Sequence, residues 1–485
     1  MSAGRKRGGA GVVRPWAAFC VVLGGYFLAQ MDMTVLAVAL PRIRAELGAS
    51  VVAGSWAVSA YATALAAGLI TAGRLGDLFG SRRVFAWGVA LFTLCSLACG
   101  LAQSPGWLIA ARAAQGAGAT LLVPQILSTI VAVIPEGRRG LALGVRGSVG
   151  AGAAVVGPLV GGLLVGLLDW RWVFFVNVPI GLVLFVAALL VLPPTSRTRR
   201  RLDVPGAGLA AAALLAAVTT LTRTGESGWT VWSGVGAGLA VLLIAGLVFQ
   251  QRRAQQAEPL IPFAVFRSRG YRLMLPVGVS VSAAVIGFTL VLSFFLQEGL
   301  GAGPVQAGLV LAPASLSSML LAPLVGRLVD RTDARGLLAA GLLLTACGVG
   351  LSAQLMTPDA RWEGFLPAML LVGAGNALLF TPMAAIAMRG VAGPVAGAAS
   401  GVLATFLQFG SVLGTAAVAV VMQHLARDTG FAQASRSAML VPLAALAVAA
   451  VSCALTERTP PRAGRSGASG ASPASTTPEP GAPDT

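Results

Sequence analysis

The sequence has very few charged side chains for its length. Of its 485 residues only 11% are charged and 56% are hydrophobic, whereas a soluble globular chain carries about 25% charged residues. This shortage is too large for a surface that faces water, so most of the surface is expected to face lipid. The composition predicts an integral membrane protein rather than a soluble protein of two or three domains.

Lysine and histidine are also scarce. Lys6 is the only lysine, and no glycine-rich loop ends in Gly-Lys-Ser or Gly-Lys-Thr, so pumping driven by ATP is not expected. His424 is the only histidine, and the five cysteines lie in apolar runs away from it. No pattern of paired acids, histidines or metal ligands within the apolar runs indicates an enzyme. No cofactor or metal is therefore expected, and an ion gradient is the expected source of energy.

Fourteen apolar runs, each long enough to cross a bilayer, lie between Trp16 and Leu455. Of the 34 lysines and arginines, 25 fall in connections on one side of these runs and seven on the other. The excess predicts that the richer side, with both chain termini, is cytoplasmic. The net charge of +17 is thereby assigned to membrane topology and not to nucleic-acid binding. The basic N-terminus leads into a run without a small-residue cleavage site, so an anchoring span is expected rather than a signal peptide.

A short motif occurs twice. Gly73-Arg-Leu-Gly-Asp77 follows the second apolar run, and Gly326-Arg-Leu-Val-Asp330 follows the tenth. A recurrence after eight spans predicts two six-helix halves separated by two extra helices, with a transport site at their interface. The predicted divisions are a cytoplasmic N-terminus (1–15), an N-terminal six-helix bundle (16–195), two additional helices (196–255), a C-terminal six-helix bundle (256–458) and a disordered cytoplasmic tail (459–485).

Asp32 is the one carboxylate that lies well inside an apolar run. A charge in hydrocarbon is costly, so an ionisable residue there is a candidate functional site. Arg112 lies about 8 Å from the outer end of its run and Asp32 about 14 Å from Pro41, at 1.5 Å per helical residue. The two side chains are at similar depths and are expected to meet.

A carboxylate takes up a proton when its arginine partner moves away in a low dielectric. Such a change would couple proton uptake to helix movement. A static pair that only locks helix packing stays open as the alternative.

Four stretches carry a family resemblance. They are Met31 to Pro41, with Ala37 where asparagine is usual; Gly73 to Arg83; Leu108 to Gly118; and Trp170 to Gly181. In order, and over nearly all of the chain before the tail, they resemble the major facilitator superfamily and within it the fourteen-span drug:proton antiporter family. The resemblance implies an all-α membrane fold of two six-helix bundles plus two extra helices, and multidrug or antibiotic efflux driven by the proton gradient.

The resemblance also implies roles for particular residues. Proton and substrate coupling is expected from Asp32, Arg112 and Gln115. A cytoplasmic gate is expected from Gly73, Arg74, Asp77, Gly80, Arg82, Arg83, Asp330 and Arg331. The antiporter signature is Gly144, Gly157, Pro158, Gly161 and Gly162, and the family signature is Trp170, Arg171, Trp172, Asn177 and Pro179. For the loop and the glycines, a structural turn and ordinary small-residue packing stay open as alternatives. Arg146, one turn into its span, is interpreted as a residue that snorkels to the cytoplasm.

Because Asp32 and Arg112 stand nearly alone in the spans, the expected cargo is lipophilic and neutral or monocationic, and dications should be poor substrates. The expected partners are a small lipophilic substrate, protons and the lipid bilayer, with no nucleic acid. A monomer in the cell membrane is expected. Three alternatives stay open: an exporter dedicated to one endogenous metabolite, a self-resistance exporter for one antibiotic, and, less favoured, a membrane-embedded enzyme.

Overall fold

The computed structural model describes residues 15–49, 51–194, 203–227, 230–255, 259–302, 304–389, 391 and 395–456. Residues 1–14 of the predicted cytoplasmic N-terminus and the predicted disordered tail at 459–485 lie outside the described residues.

The described chain is built from α-helices joined by short connections. In chain order they are α1 (Pro15–Leu47), α2 (Val51–Phe79), α3 (Ser81–Gly100), α4 (Pro105–Val133), α5 (Arg139–Leu167), α6 (Trp172–Phe175), α7 (Asn177–Val191), α8 (Val204–Ser227), α9 (Val231–Ala254), α10 (Arg269–Phe294), α11 (Pro304–Arg331), α12 (Ala334–Leu355), α13 (Leu366–Met388), α14 (Ala396–Thr429), α15 (Phe431–Ala438) and α16 (Leu440–Ala454).

Within the described ranges, fourteen helical segments are long and apolar enough to cross a membrane. α6 and α7 together make the sixth crossing, and α15 and α16 together make the last. Helices satisfy every backbone hydrogen bond within the segment, which is what a hydrocarbon environment requires. The prediction of an all-α membrane protein with fourteen spans is confirmed.

Local sequence signals set several helix ends. The hydroxyl of Ser104 accepts a hydrogen bond from the Trp107 amide at 3.3 Å, and Pro105 occupies the first turn of α4. Both features are favoured at helix N-termini. Between α2 and α3 the chain turns at Gly80, whose φ of 88° is readily available only to glycine. These short connections keep neighbouring spans antiparallel.

Two sets of helices meet through a few pairs. We call α1 to α7 the N-terminal group and α10 to α16 the C-terminal group. α5 packs against α11, and α2 packs against α14, so the groups meet along both pairs. α8 and α9 pack on each other, and α8 also lies against α2 and α14. The residue boundaries of the two predicted bundles and of the added helices stay a prediction.

Candidate functional site

The Asp32 carboxylate lies inside the N-terminal group and is fully buried. Its Oδ2 forms an ion pair with Arg112 of α4. Its Oδ1 accepts hydrogen bonds from Gln115 Nε2 and from Asn177 Nδ2, both at 3.0 Å. Three donors from α4 and α7 therefore surround one carboxylate of α1, which compensates its removal from water.

Arg112 is also held by groups other than the carboxylate. Its side chain is 1% exposed. Nη1 donates to Gln115 Oε1 at 2.8 Å, and Nε donates to the Ala57 carbonyl at 3.2 Å. The guanidinium lies 4.3 Å from the ring centre of Tyr61, a favourable cation–π arrangement. The positive charge thus keeps several partners when Asp32 is neutral.

Sequence reasoning missed two members of this network. Ser96 of α3 accepts a hydrogen bond from Asn177 Nδ2 at 3.0 Å and donates to the Phe174 carbonyl at 3.0 Å. Tyr61 of α2 donates its hydroxyl to the Ala29 carbonyl at 3.1 Å. A lone serine or tyrosine in an apolar run is common, so only its depth relative to Asp32 could have indicated either residue. With them, the network joins helices α1, α2, α3, α4 and α7.

The sequence indicates Asn177 only as a member of the family signature, together with Trp170, Arg171, Trp172 and Pro179. Asn177 is the first residue of α7, and its buried side chain reaches Asp32. Trp170 and Arg171 lie apart from it, at the predicted outer end. Trp170 Nε1 donates to Glu46 at 2.9 Å, and Arg171 forms ion pairs with Glu46 and, at 3.5 Å, with Asp169. The hydrogen bond to Glu46 raises the pKa of the Arg171 guanidinium above its ordinary value. Trp172 and Pro179 are exposed.

The five residues of the antiporter signature divide by what they contact. A Cβ added to Gly144 would lie 2.1 Å from the Ala322 carbonyl oxygen of α11. At Gly157 it would lie 2.0 Å from Thr34 Oγ1, and at Gly161 2.8 Å from Val35 Cγ2, both in α1. Pro158 and Gly162 are exposed. The first three glycines therefore hold α5 close to two different helices, and the other two residues face outward.

Two of the predicted gate residues join the helix groups. The Asp77 carboxylate accepts hydrogen bonds from the backbone amides of Gly397 and Ala398, both at 2.9 Å. The Asp330 carboxylate accepts from the amides of Gly140 at 2.8 Å and Leu141 at 3.1 Å. Each carboxylate thus lies at the N-terminus of a helix of the other group, where orphan amides and the helix dipole favour negative charge.

The remaining gate residues lie around these two contacts. A Cβ added to Gly73 would lie 2.2 Å from the Gly397 carbonyl oxygen, so the α2 and α14 backbones are in close contact there. Arg74 is buried, and Gly80 forms the turn between α2 and α3. Arg82 donates to the Leu189 carbonyl within the N-terminal group. The side chains of Arg83 and Arg331 are exposed.

A cavity of about 440 Å³ lies between the two helix groups. Residues of α1, α5, α10, α11, α13 and α14 line it, among them Arg146. The interpretation of Arg146 as a snorkelling residue is therefore wrong: its side chain lies 4.8 Å over the ring of Tyr26, which also lines the cavity. Asp32, Arg112 and Gln115 are not among the residues that line it.

Comparison with known proteins gives consistent matches. The sequence profile of the Major Facilitator Superfamily matches residues 22–415. The cephamycin export protein of Amycolatopsis lactamdurans is 39% identical, over 83% of this chain and 84% of the relative. The puromycin resistance protein of Streptomyces alboniger is 38% identical, over 83% of this chain and 81% of the relative.

A solved structure shows the same fold. The human organic anion transporter MFSD10 superposes with a TM-score of 0.66, over 89% of this chain and 99% of that chain, at 14% identity. At this identity the likeness shows the fold alone. The family profile and the two relatives show that the chain belongs to the major facilitator superfamily and is a multi-pass membrane transporter, not an enzyme.

Proposed function

We propose that the protein exports lipophilic small molecules in exchange for protons, with Asp32 as the group that carries the proton. The observation that supports this most is the isolation of Asp32: it is a fully buried carboxylate whose charge is balanced by one arginine. A buried charge is tolerated while its partner is in contact, and it is strongly destabilised when the partner leaves. A movement between α1 and α4 would therefore couple protonation to conformation.

The packing offers a route for that movement. α1 packs against α5, and α5 packs against α11 of the C-terminal group. Gly157 and Gly144 lie at these two close contacts. Rocking of one group against the other would move α5, and with it the helix that carries Asp32. Such rocking around a central site is how transporters of this architecture alternate access.

In this proposal the contacts of Asp77 and Asp330 close the cytoplasmic side. Opening toward the cytoplasm separates each carboxylate from the helix N-terminus it faces, and closing restores the hydrogen bonds. Both chain termini are cytoplasmic in this arrangement, as the distribution of basic residues predicts, and the protein works as a monomer in the cell membrane.

The cargo is proposed to be lipophilic. Phe288, Leu311, Met369 and Phe380 are among the apolar residues that line the cavity, and its volume suits a drug-sized molecule. These side chains can contact the lipophilic body of a cargo molecule. The expectation of monocationic cargo depended on Asp32 facing the cargo, and Asp32 does not line the cavity.

A dedicated self-resistance exporter for one antibiotic is the second candidate. Two relatives over 35% identical are named for a single compound each, as a cephamycin exporter and a puromycin resistance protein. Export of one compound alone, among many tested in cells with and without the gene, would favour this candidate over multidrug efflux.

Transport by the purified full-length protein in liposomes tests the proposal. With an acidic lumen, we expect the neutral lipophilic probe N-phenyl-1-naphthylamine to accumulate, and collapse of the pH difference by nigericin to stop it. Asp32→Asn should reduce accumulation to the level of empty liposomes. The matched control is Asp359→Asn, which changes an exposed acid of a connection and should leave transport intact. Equal accumulation by the wild-type protein after the pH difference is collapsed would overturn the proposal.

A further inference from the structure

The cavity between the helix groups has a positive charge and no described negative one. Its described lining contains the guanidinium of Arg146 and no aspartate or glutamate. The polar remainder consists of hydroxyl and amide side chains, such as Gln30 and Asn376. A cation entering this space would meet a like charge, and no carboxylate in the described lining would offset the repulsion.

One N–H group of Arg146 makes no hydrogen bond within the described chain. Its Nε is buried without a hydrogen-bond partner among the described residues. Its guanidinium lies against the Tyr26 ring, which holds the side chain beside the cavity through a cation–π contact. A buried donor without a partner is costly, so a shift of this side chain toward an acceptor bound in the cavity is favoured.

Asn376 of α13 lines the same cavity from the opposite helix group. Its Oδ1 is likewise buried with no hydrogen-bond partner in the described part of the chain. The oxygen and nitrogen of a side-chain amide exchange places by rotation about the last bond. Rotation can therefore place an N–H of Asn376 where that oxygen lies.

We propose that the cargo carries one anionic group, a carboxylate or a group of similar geometry, on a lipophilic body. The proposal rests on the export function proposed above and specifies its substrate class. The planar guanidinium of Arg146 binds the anionic group in a two-point contact, for which arginine is better suited than lysine. Asn376 adds a hydrogen bond from the other helix group, and the apolar side chains of α10, α11 and α13 contact the lipophilic body.

This substrate class has an electrical consequence. Exchange of one outgoing monoanion for one incoming proton moves two positive charges inward per cycle, whereas a neutral cargo moves one and a monocation none. A membrane potential that is negative inside therefore drives anion export in addition to the pH difference. The cargo that the cavity charge favours is also the cargo that a cell's resting potential expels.

Three probes that differ only in charge test the proposal. They are 4-(1-pyrenyl)butyrate, its neutral primary amide, and 4-(1-pyrenyl)butyl-trimethylammonium. Binding is measured to the full-length protein in phosphatidylcholine nanodiscs at pH 7.5, with empty nanodiscs subtracted. We expect the carboxylate to bind at least tenfold more tightly than the amide, and the trimethylammonium probe to bind most weakly. Equal affinities, or a preference for the cation, overturn the proposal whether or not any variant folds.

Variants identify the residue responsible. Arg146→Gln should lower the affinity for the carboxylate at least tenfold, to that of the amide, and leave amide binding unchanged. Arg146→Lys should retain part of the preference. The matched control is Arg253→Gln, because Arg253 is an exposed arginine that stacks on Phe249 at the end of α9; it should bind all three probes as the wild type does. A carboxylate preference that survives Arg146→Gln overturns the assignment.

These outcomes are separate from those of the proposed function, because the nanodiscs carry no pH gradient. Movement of the neutral amide driven by a pH difference, without a carboxylate preference, would refute the anion site and leave proton-driven export standing. A carboxylate preference without pH-driven movement of any probe would refute proton-driven export alone.

Discussion

Asp77 and Asp330 make the same contact at two places on the predicted cytoplasmic side. Each carboxylate accepts hydrogen bonds from the amides of the second and third residues of a helix, α14 for Asp77 and α5 for Asp330. The repeated five-residue motif in the sequence thus corresponds to a repeated contact between the helix groups. An anion at a helix N-terminus contributes about 0.3–2 kcal/mol, so under the proposed function two such contacts favour the closed arrangement without locking it.

Removing the charge of Asp32 should cost stability as well as coupling. Asp32→Asn leaves Arg112 buried and charged, and breaking one side of a buried pair costs about 3–5 kcal/mol. The other partners of Arg112 should keep the variant folded, with a lowered apparent Tm in detergent. Adding Arg112→Gln should recover most of that Tm, because both charges are then absent. Proton-driven transport should be lost in Asp32→Asn, in Arg112→Gln and in the double variant, and a double variant less stable than either single one would contradict this account.

Under the proposed function, closing of the cytoplasmic side should depend on the contact between Gly326 and Gly140. A Cβ added at Gly326 would lie 2.3 Å from the Gly140 carbonyl oxygen, and overpacking of this kind costs about 1–3 kcal/mol. Gly326→Ala should therefore disfavour the closed inner side and lower turnover by about tenfold, since about 1.4 kcal/mol is a factor of ten.

The matched control for that change is Gly336→Ala. Gly336 lies nearby at the start of α12, and nothing lies within 4 Å of its added Cβ. Its turnover in liposomes should equal that of the wild type. Equal turnover of the Gly326→Ala variant would show that the close approach is not needed for transport.

Two glycines of the antiporter signature, Gly157 and Gly162, should respond differently to an added side chain. Gly157→Ala would force the new methyl group against Thr34, two residues beyond Asp32 in α1, and should lower stability by about 1–3 kcal/mol and impair proton-driven transport. Gly162→Ala, where the added Cβ has no neighbour within 4 Å, should behave as the wild type. Apparent Tm and transport of the two variants, measured side by side, check this; similar losses in both would contradict it.

The predicted outer end should be stabilised by packing more than by charge. Glu46 and Arg171 are partly exposed, and ion pairs of this kind contribute about 0–1 kcal/mol. Glu46→Gln should therefore change the apparent Tm little, since its amide oxygen can still accept from Trp170. Trp170 is fully buried, and Trp170→Ala should cost about 3–5 kcal/mol. A larger loss in Glu46→Gln than in Trp170→Ala would reverse this ranking.

The fourteen spans were predictable because the cost of polar groups in lipid forces long apolar runs, whatever the tertiary packing. Similar depths for Asp32 and Arg112 also followed from the rise of a helix. The sequence does not contain the rotation of each helix about its axis. For that reason the contacts of Asn177, Ser96 and Tyr61 with this network required the structure.

Arg146 illustrates the same limit. Its position one turn inside a span fits a snorkelling residue equally well, and only the packing of α5 shows which side it faces. A signal was nevertheless present: Gly147, Gly150, Ala151 and Ala154 follow it at helical spacing, and all line the same cavity. A row of small residues on the helix face that carries an arginine indicates a cavity beside the guanidinium.

The cavity and the Asp32 network share none of their described side chains. Under the proposed function, cargo and proton therefore do not compete for one carboxylate, and the exchange between them is mechanical. Substitutions in α10, α11 or α13 can then alter which compound is expelled while the energy supply stays intact. Related exporters can therefore acquire new substrate specificities through single substitutions in the cavity while the network around Asp32 stays the same.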